Sequence, residues 1–351
     1  MNEKCLSLII LIIIIVWLLI QHLRTSCREN FGSDCLDFIP YNVISKKENK
    51  EGYIFVSVAS YRDDECNKTV KDIFEKAENP QKIVVGICQQ NKEENENCNK
   101  ELNKEWNIKT VDFDYMKAKG PTYARYWCST LWDGEEFFFQ IDSHTNFVPK
   151  WDTSLIKMWK EINSPKAILS AYPPTETQLN NSGFPVMCNG KLSKNNIPIF
   201  LAGWHKESPK PIKSPKPFCA GGFMFLKGDF LYDIPYDPNL SHLFQGEETL
   251  LSARLYTNGY DVWAPNIKIA SHHYGRKEKP KYWTDHKDSG ECRKNAEKRV
   301  LFLLDLEKKS NVDKDFIRNS HNYGMGTVRK LKNFWKDAGI DFKQKTVTKE
   351  C

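Results

Sequence analysis

The chain has 351 residues, a net charge of +6 and eleven cysteines. That length supports one large core or two modest ones. Its basic residues are spread along the chain, densest at 46–50, 206–216 and 277–287, which is too diffuse for a nucleic-acid footprint and leaves an anionic small substrate open. The absence of a Cys-x-x-Cys pair argues against a zinc ribbon or a thioredoxin-type motif.

Residues 1–5 read as a cytoplasmic tail and 6–23 as a transmembrane signal anchor, because Leu6 to Ile20 is apolar except for Ser7. A cleaved signal peptide competes with this reading, but no small-x-small site follows the apolar run. Residues 24–51 are polar and patternless and read as a stem, with one catalytic-size domain over 52–351. Ten cysteines beyond Cys5, together with sequons at Asn67, Asn180 and Asn239, fit a lumenal domain of a single-pass type II protein in the Golgi or ER membrane.

Within the domain, Ile54–Ala59 has a buried-strand pattern, Thr69–Ala77 reads as an amphipathic helix and Lys82–Cys88 as the next strand. This strand, helix, strand order predicts a parallel sheet with a right-handed crossover. Gln89–Glu105 is polar and reads as a surface loop. A helix over Tyr123–Leu131 is introduced by Gly120-Pro121-Thr122, and a strand follows at Glu136–Ile141. Trp151–Ile162 reads as a helix and Lys166–Ala171 as a strand. Pro173–Pro217, rich in Pro, Gly, Asn and Lys, reads as a long loop-dominated insertion. Phe218–Leu226 is a strand pattern opened by Gly221 and Gly222, followed by a helix over Thr249–Thr257, short strands at Tyr260–Pro265 and Ile267–Ser271, and a helix over Gly290–Lys309.

Chemistry concentrates at the ends of these elements. Asp142 and His144, directly after an apolar strand, form an acid-x-His pair able to hold a divalent cation. Glu247 and Glu248 open a helix, and His272 and His273 stand beside Arg276. Each has a bland alternative: a strand-end Asp with a solvated His, ordinary N-terminal helix charge, a satisfied core or surface histidine. The Gly221-Gly222 pair by itself is consistent with a tight strand entry. All three charged clusters nevertheless fall where an open α/β sheet gathers its ligand site. One carboxylate with one or two imidazoles suits manganese better than magnesium, and such an ion neutralises charge on a departing diphosphate. Arg276, Arg125 and Arg62 are candidates to add positive charge around a nucleotide.

The ordered segments Ile54 to Cys66, Gly120 to Cys128, Gln140 to His144, Cys219 to Phe223, Gly246-Glu-Glu248 with Ser252-Ala-Arg254, and His272 to Arg276 with Pro280-Lys-Tyr-Trp283 resemble the polypeptide N-acetylglucosaminyltransferases of protists. His321 to Arg329 and Gly339 to Asp341 extend the resemblance to about 342. More distantly, the motif order is similar to that of the mucin-type polypeptide GalNAc-transferases. The resemblance implies an α/β GT-A fold, a mostly parallel central sheet flanked by helices, and retaining transfer of GlcNAc from UDP-GlcNAc to a Thr, Ser or hydroxyproline hydroxyl of a protein. It also implies that Asp142, His144 and His272 or His273 bind Mn2+, and that Ser60, Tyr61, Arg62 and Asp63 lie against the uridine with Gly120 and Arg125 nearby. Gly221 and Gly222 join the donor site, and Glu247 and Glu248 stand beside the donor sugar and acceptor.

Two other readings are carried. One is a non-catalytic carbohydrate-binding or scaffold protein on the same fold, against which the intact Asp142 and His144 argue. The other is a metal-dependent hydrolase using Asp142, His144, His272 and His273; it lacks a carboxylate bridge or His-x-x-x-His for a two-metal centre.

Overall fold

Apolar alternation along two phenylalanine-rich strands sets the architecture. In the computed structural model, which describes residues 35–351 apart from 38, 40, 42, 94, 95 and 276, an eight-stranded sheet runs in the order β3-β2-β1-β4-β10-β6-β11-β9. The strands are β1 (Lys50–Tyr61), β2 (Ile83–Asn91), β3 (Ile108–Asp114), β4 (Glu135–Asp142), β6 (Ala167–Ser170), β9 (Ile212–Lys213), β10 (Phe223–Lys227) and β11 (Asp261–Ala264). β1 pairs in parallel with β2 and β4, and β2 in parallel with β3. β10 is antiparallel to both its neighbours, and β9 is antiparallel to β11. The mostly parallel sheet expected from the sequence is therefore present.

Strand alternation sends side chains to two cores. Ile54, Val56 and Val58 of β1, with Phe137 and Phe139 of β4, join one core against α1 (Cys66–Glu75) and α3 (Trp151–Ile162). Phe55 and Phe138 face the other side, where Phe230, Leu231 and Ile234 meet Leu251 and Leu255 of α5 (Glu247–Thr257). α4 (Phe230–Asp233) is a single turn on that side. The Phe137-Phe138-Phe139 run thus serves both layers. Truncating any one of these rings to Ala removes about 3–5 kcal/mol.

Several boundaries differ from the sequence reading. β1 starts inside the segment read as stem, and Lys50 pairs with Asp133 at 2.8 Å. β3 is absent from that reading because Ile-Lys-Thr-Val-Asp-Phe-Asp alternates half-exposed residues on a polar edge strand. The 173–217 segment is loop over about half its length, but it also carries a hairpin that the sequence reading did not include, β7 (Phe184–Leu192) and β8 (Pro198–His205), whose proline and glycine content hides the strand signal. The helix α7 (Gly290–Leu303) stops short of Lys309. α2 (Pro121–Ser129) begins with its proline at the first turn, where a missing N–H costs nothing.

Phe38–Cys351 forms one compact unit. The 1–5 tail, the 6–23 apolar run and Arg276 lie outside the described residues, as do 24–34, 38, 40 and 42 of the stem. Among the described residues no helix is long and apolar enough to cross a membrane. Disulfides join Cys66 to Cys98 and Cys188 to Cys351, while Cys88, Cys128 and Cys219 are free and buried. Of the three sequons only Asn180 is exposed; Asn239 is buried and bonded to Asp237, and Asn67 donates to the Cys98 and Lys100 carbonyls.

Candidate active site

β1, β2 and β4 run parallel, so their C-terminal ends share one edge, and the chemistry gathers there. β4 delivers Asp142 as its last residue, and the turn that follows carries His144 into β5 (Thr145–Phe147). β12 (Ala270–His272) pairs antiparallel with β5, with His272 opposite Thr145. That register brings His272 beside His144, their ring centroids 4.5 Å apart. Asp142, His144 and His272 offer ligand atoms all within 4.8 Å of one another. His273, one residue on, turns the other way and meets Glu65 at 2.8 Å. The ambiguity between the adjacent histidines therefore resolves toward His272.

A carboxylate with two imidazoles is a donor set suited to manganese. Neighbouring side chains fix its geometry. Asp63, buried, bonds His144 Nδ1 through Oδ2 at 2.8 Å and accepts from the Ser143 hydroxyl at 2.5 Å, leaving His144 Nε2 for the cluster. Asp142 Oδ2 lies 3.1 Å from His272 Nε2, and Arg125 Nη2 donates to Asp142 Oδ1 at 3.0 Å. Burial pushes the Asp142 carboxyl up, but the His272 bond and the Arg125 charge win and hold it below the usual carboxylate range. Arg125 Nη1 also donates to Glu247, so one guanidinium links the metal carboxylate to the start of α5. Gly222 is required by close approach: a Cβ there would sit 2.5 Å from Asp142 Oδ2.

Two cavities meet at Asp142. The first, about 260 Å³, is lined by Ser60, Tyr61, Gln90, Gly120, Tyr282 and Trp283, with Asp142 and His144 at one end. Ser60 Oγ and Gln90 Oε1 lie buried in its wall without hydrogen-bond partners. α6 (Tyr282–Asp285) closes over this cavity, held where Asp285 accepts from Tyr61 at 2.7 Å and from Arg62 at 2.9 Å. The second cavity, about 340 Å³, is lined by Arg125, Asp142, Gly221, Gly222, Glu247, Glu248 and His272, with Tyr172, Tyr274, Pro198 and Ile199 among its other walls. In it Glu248 accepts from the Gly221 N–H and the Tyr172 hydroxyl, both at 2.6 Å. Burial outweighs those bonds and raises the Glu248 carboxyl to about 7.

The sequence-derived candidates thus separate by task. Ser60, Tyr61 and Gly120 line the first cavity; Arg125, Gly221, Gly222, Glu247 and Glu248 line the second; Asp63 braces His144. Arg62 adopts a left-handed backbone (φ 46°) and turns to Asp285, Glu96 and the Tyr115 ring instead of lining either cavity. Gln90, Tyr172, Tyr274 and Asp285 escaped the sequence reading. Of these, Gln90 was findable, because it sits at the C-terminal end of a parallel strand that the reading ended at Cys88.

Comparison with known proteins accords with this geometry. A family model described as Glycosyltransferase (GlcNAc) matches residues 53–105 and 99–344. None of the curated proteins matches the chain. Among solved structures, the chain is similar to GalNAc-T7 with UDP, GalNAc and Mn2+, at 14% identity and TM-score 0.51 over 84% of this chain and 58% of that one. It thus spans little more than half of that relative's length. S. aureus TarS 1-349 in complex with UDP-GlcNAc matches at 13% identity and TM-score 0.49, over 77% of this chain and 69% of that one. The fold is the GT-A fold.

Proposed function

The chain belongs to the Glycosyltransferase (GlcNAc) family, and from that premise we propose that it transfers GlcNAc, with retention, from UDP-GlcNAc to a Thr, Ser or hydroxyproline hydroxyl of a protein, using Mn2+. The observation that carries this is the position of Asp142, His144 and His272 at the junction of two cavities, one aromatic and one lined by acids and glycines. A flat base fits between Tyr61, Tyr282 and Trp283. The sugar then falls in the second cavity beside Glu247, Glu248 and the Gly221-Gly222 turn.

Asp142, His144 and His272 would hold the ion, which supplies Lewis-acid neutralisation of the diphosphate. Arg125, anchored on Asp142 and Glu247, keeps fixed positive charge at the same point. Glu248, poised to lose its proton near neutrality, orients a sugar hydroxyl. No side chain is assigned as nucleophile or general base. The acceptor oxygen attacks C1 on the face the diphosphate leaves; the C1–O bond to phosphate breaks as the new one forms, and the leaving phosphate oxygen takes the acceptor proton. The 6–23 run, the disulfides and the exposed Asn180 sequon support a membrane-anchored lumenal enzyme of the Golgi or ER.

The test is release of UDP from a panel of UDP-sugars by the full chain with manganese. UDP-GlcNAc turnover abolished by chelator and by Asp142→Ala is expected. Preference for another sugar would move the donor assignment, and no turnover of any would favour a binding protein.

A further inference from the structure

The β7–β8 hairpin has two unlike edges. The outer side of β7 is covered by the C-terminal segment, where the Glu350 N–H donates to the Cys188 carbonyl at 3.0 Å and Cys351 is bonded to Cys188. β8 pairs only with β7 among the described residues, so alternate N–H and C=O groups on its other side have no strand partner. Natural edge strands are blunted with lysine, proline or a bulge toward the open side. From Ile199 to His205 this edge has neither lysine nor proline, and it exposes Leu201, Ala202 and Trp204. Small residues at 202 and 203 leave the backbone accessible.

One end of this edge is the active site. Pro198 and Ile199, the first two residues of β8, wall the cavity that holds Glu247, Glu248 and His272. The Thr249 hydroxyl, directly after Glu248, donates to the Pro198 carbonyl at 2.9 Å and pins β8 to α5. An unpaired strand edge is complementary to one kind of partner, another extended polypeptide backbone. We propose that the acceptor polypeptide adds as a strand to the free edge of β8, with its hydroxyl residue delivered at Pro198–Ile199 and one flank running out past Leu201 to Trp204. Six steps at about 3.3 Å give roughly 20 Å of pairing, enough for about six acceptor residues on that flank. This rests on the polypeptide-acceptor reading above, and it names how that acceptor is held.

The test uses the full chain, UDP-GlcNAc, manganese and a peptide library randomised on both sides of a fixed threonine. Proline lacks the N–H that a ladder needs. Glycosylated products are therefore expected to be depleted of proline at alternate positions on one flank only, by about tenfold if one net hydrogen bond is lost. Trp204→Ser should raise the peptide KM severalfold and leave UDP-GlcNAc hydrolysis unchanged. Uniform tolerance of proline among glycosylated peptides would overturn the strand-addition proposal alone, whereas no peptide product while UDP-GlcNAc is hydrolysed would overturn the polypeptide-acceptor reading and this proposal with it. A concentration-dependent dimer abolished by Trp204→Ser would overturn it in favour of a second copy on this edge. Failure to turn over any UDP-sugar would sink the donor reading and this proposal together.

Discussion

Asp63 offers the sharpest test of how the site is built, because family resemblance and geometry assign it different work. The resemblance places it against the uridine, whereas the structure uses it to brace His144. Its carboxylate takes three bonds: Ser143 Oγ at 2.5 Å and His144 Nδ1 at 2.8 Å on Oδ2, and the Glu65 N–H at 3.0 Å on Oδ1. Asp63→Asn keeps the shape but replaces one acceptor oxygen with an NH2 group, so three donors can no longer all be satisfied. The side chain is 1% exposed, and water cannot make up the loss. Losing one charge-assisted bond at such a site costs about 1.5–3 kcal/mol of stability. Losing the carboxylate behind a metal-binding imidazole weakens metal affinity by about 10–100-fold. Titration calorimetry with Mn2+, and separately with UDP in the absence of metal, distinguishes the assignments. A weaker manganese Kd with unchanged metal-free UDP affinity is expected. Unchanged manganese affinity with weakened UDP binding would refute the bracing role and return Asp63 to the uridine.

Gly222→Ala should leave the thermal midpoint nearly unmoved and lower kcat/KM by about 100-fold, since a Cβ would sit 2.5 Å from Asp142 Oδ2, inside van der Waals contact, and push that carboxylate aside; steady-state assays alongside calorimetry check both halves. Glu248 titrates near 7 against an ordinary 4.5, so the sign is that of a carboxyl with a raised folded value. Its contribution to stability is present below 4.5 and is lost as pH rises through about 7, and Glu248→Gln should flatten both that trend in urea midpoints and any step in kcat near pH 7. Arg299 and Asp237 form a fully buried pair at 2.7 Å, remote from the cavities, and Arg299→Met should cost about 3–5 kcal/mol in urea unfolding while leaving the kcat of the folded fraction unchanged.

How far the sequence carried depends on which contacts are local. Asp142 and His144 were legible because an apolar strand ends just before them, and the strand's alternation explains why three consecutive phenylalanines are tolerated. The choice between His272 and His273 was not legible. It follows from the pairing of β12 with β5, a register set by residues 123 to 127 positions away in the chain. The hairpin of β7 and β8 was hidden for a related reason. Its prolines sit near strand starts, Pro185 as the second residue of β7 and Pro198 as the first of β8, and the register shifts between Met187 and Asn189. A segment with that composition reads as loop until its partner is known.

The same distinction explains why Tyr172 and Tyr274 of the second cavity were missed. Tyr172 enters through its bond to Glu248, and Pro198 and Ile199 enter because Thr249 ties β8 to the helix that carries Glu247 and Glu248. Neither side of these contacts carries a local signal, so only the fold could assemble them. The first cavity differs: Ser60, Tyr61 and Gly120 stand beside strand ends or helix starts that periodicity reveals. In a sheet with this topology the nucleotide side is built from βα junctions and is therefore readable. The sugar and acceptor side is built from a late helix, an inserted hairpin and residues next to β12, and these can vary without disturbing the strands that hold Asp142. Under the proposed function, donor chemistry rests on the parallel strands and acceptor choice on the inserted hairpin, and the edge of β8 is where specificity for a polypeptide would be sought.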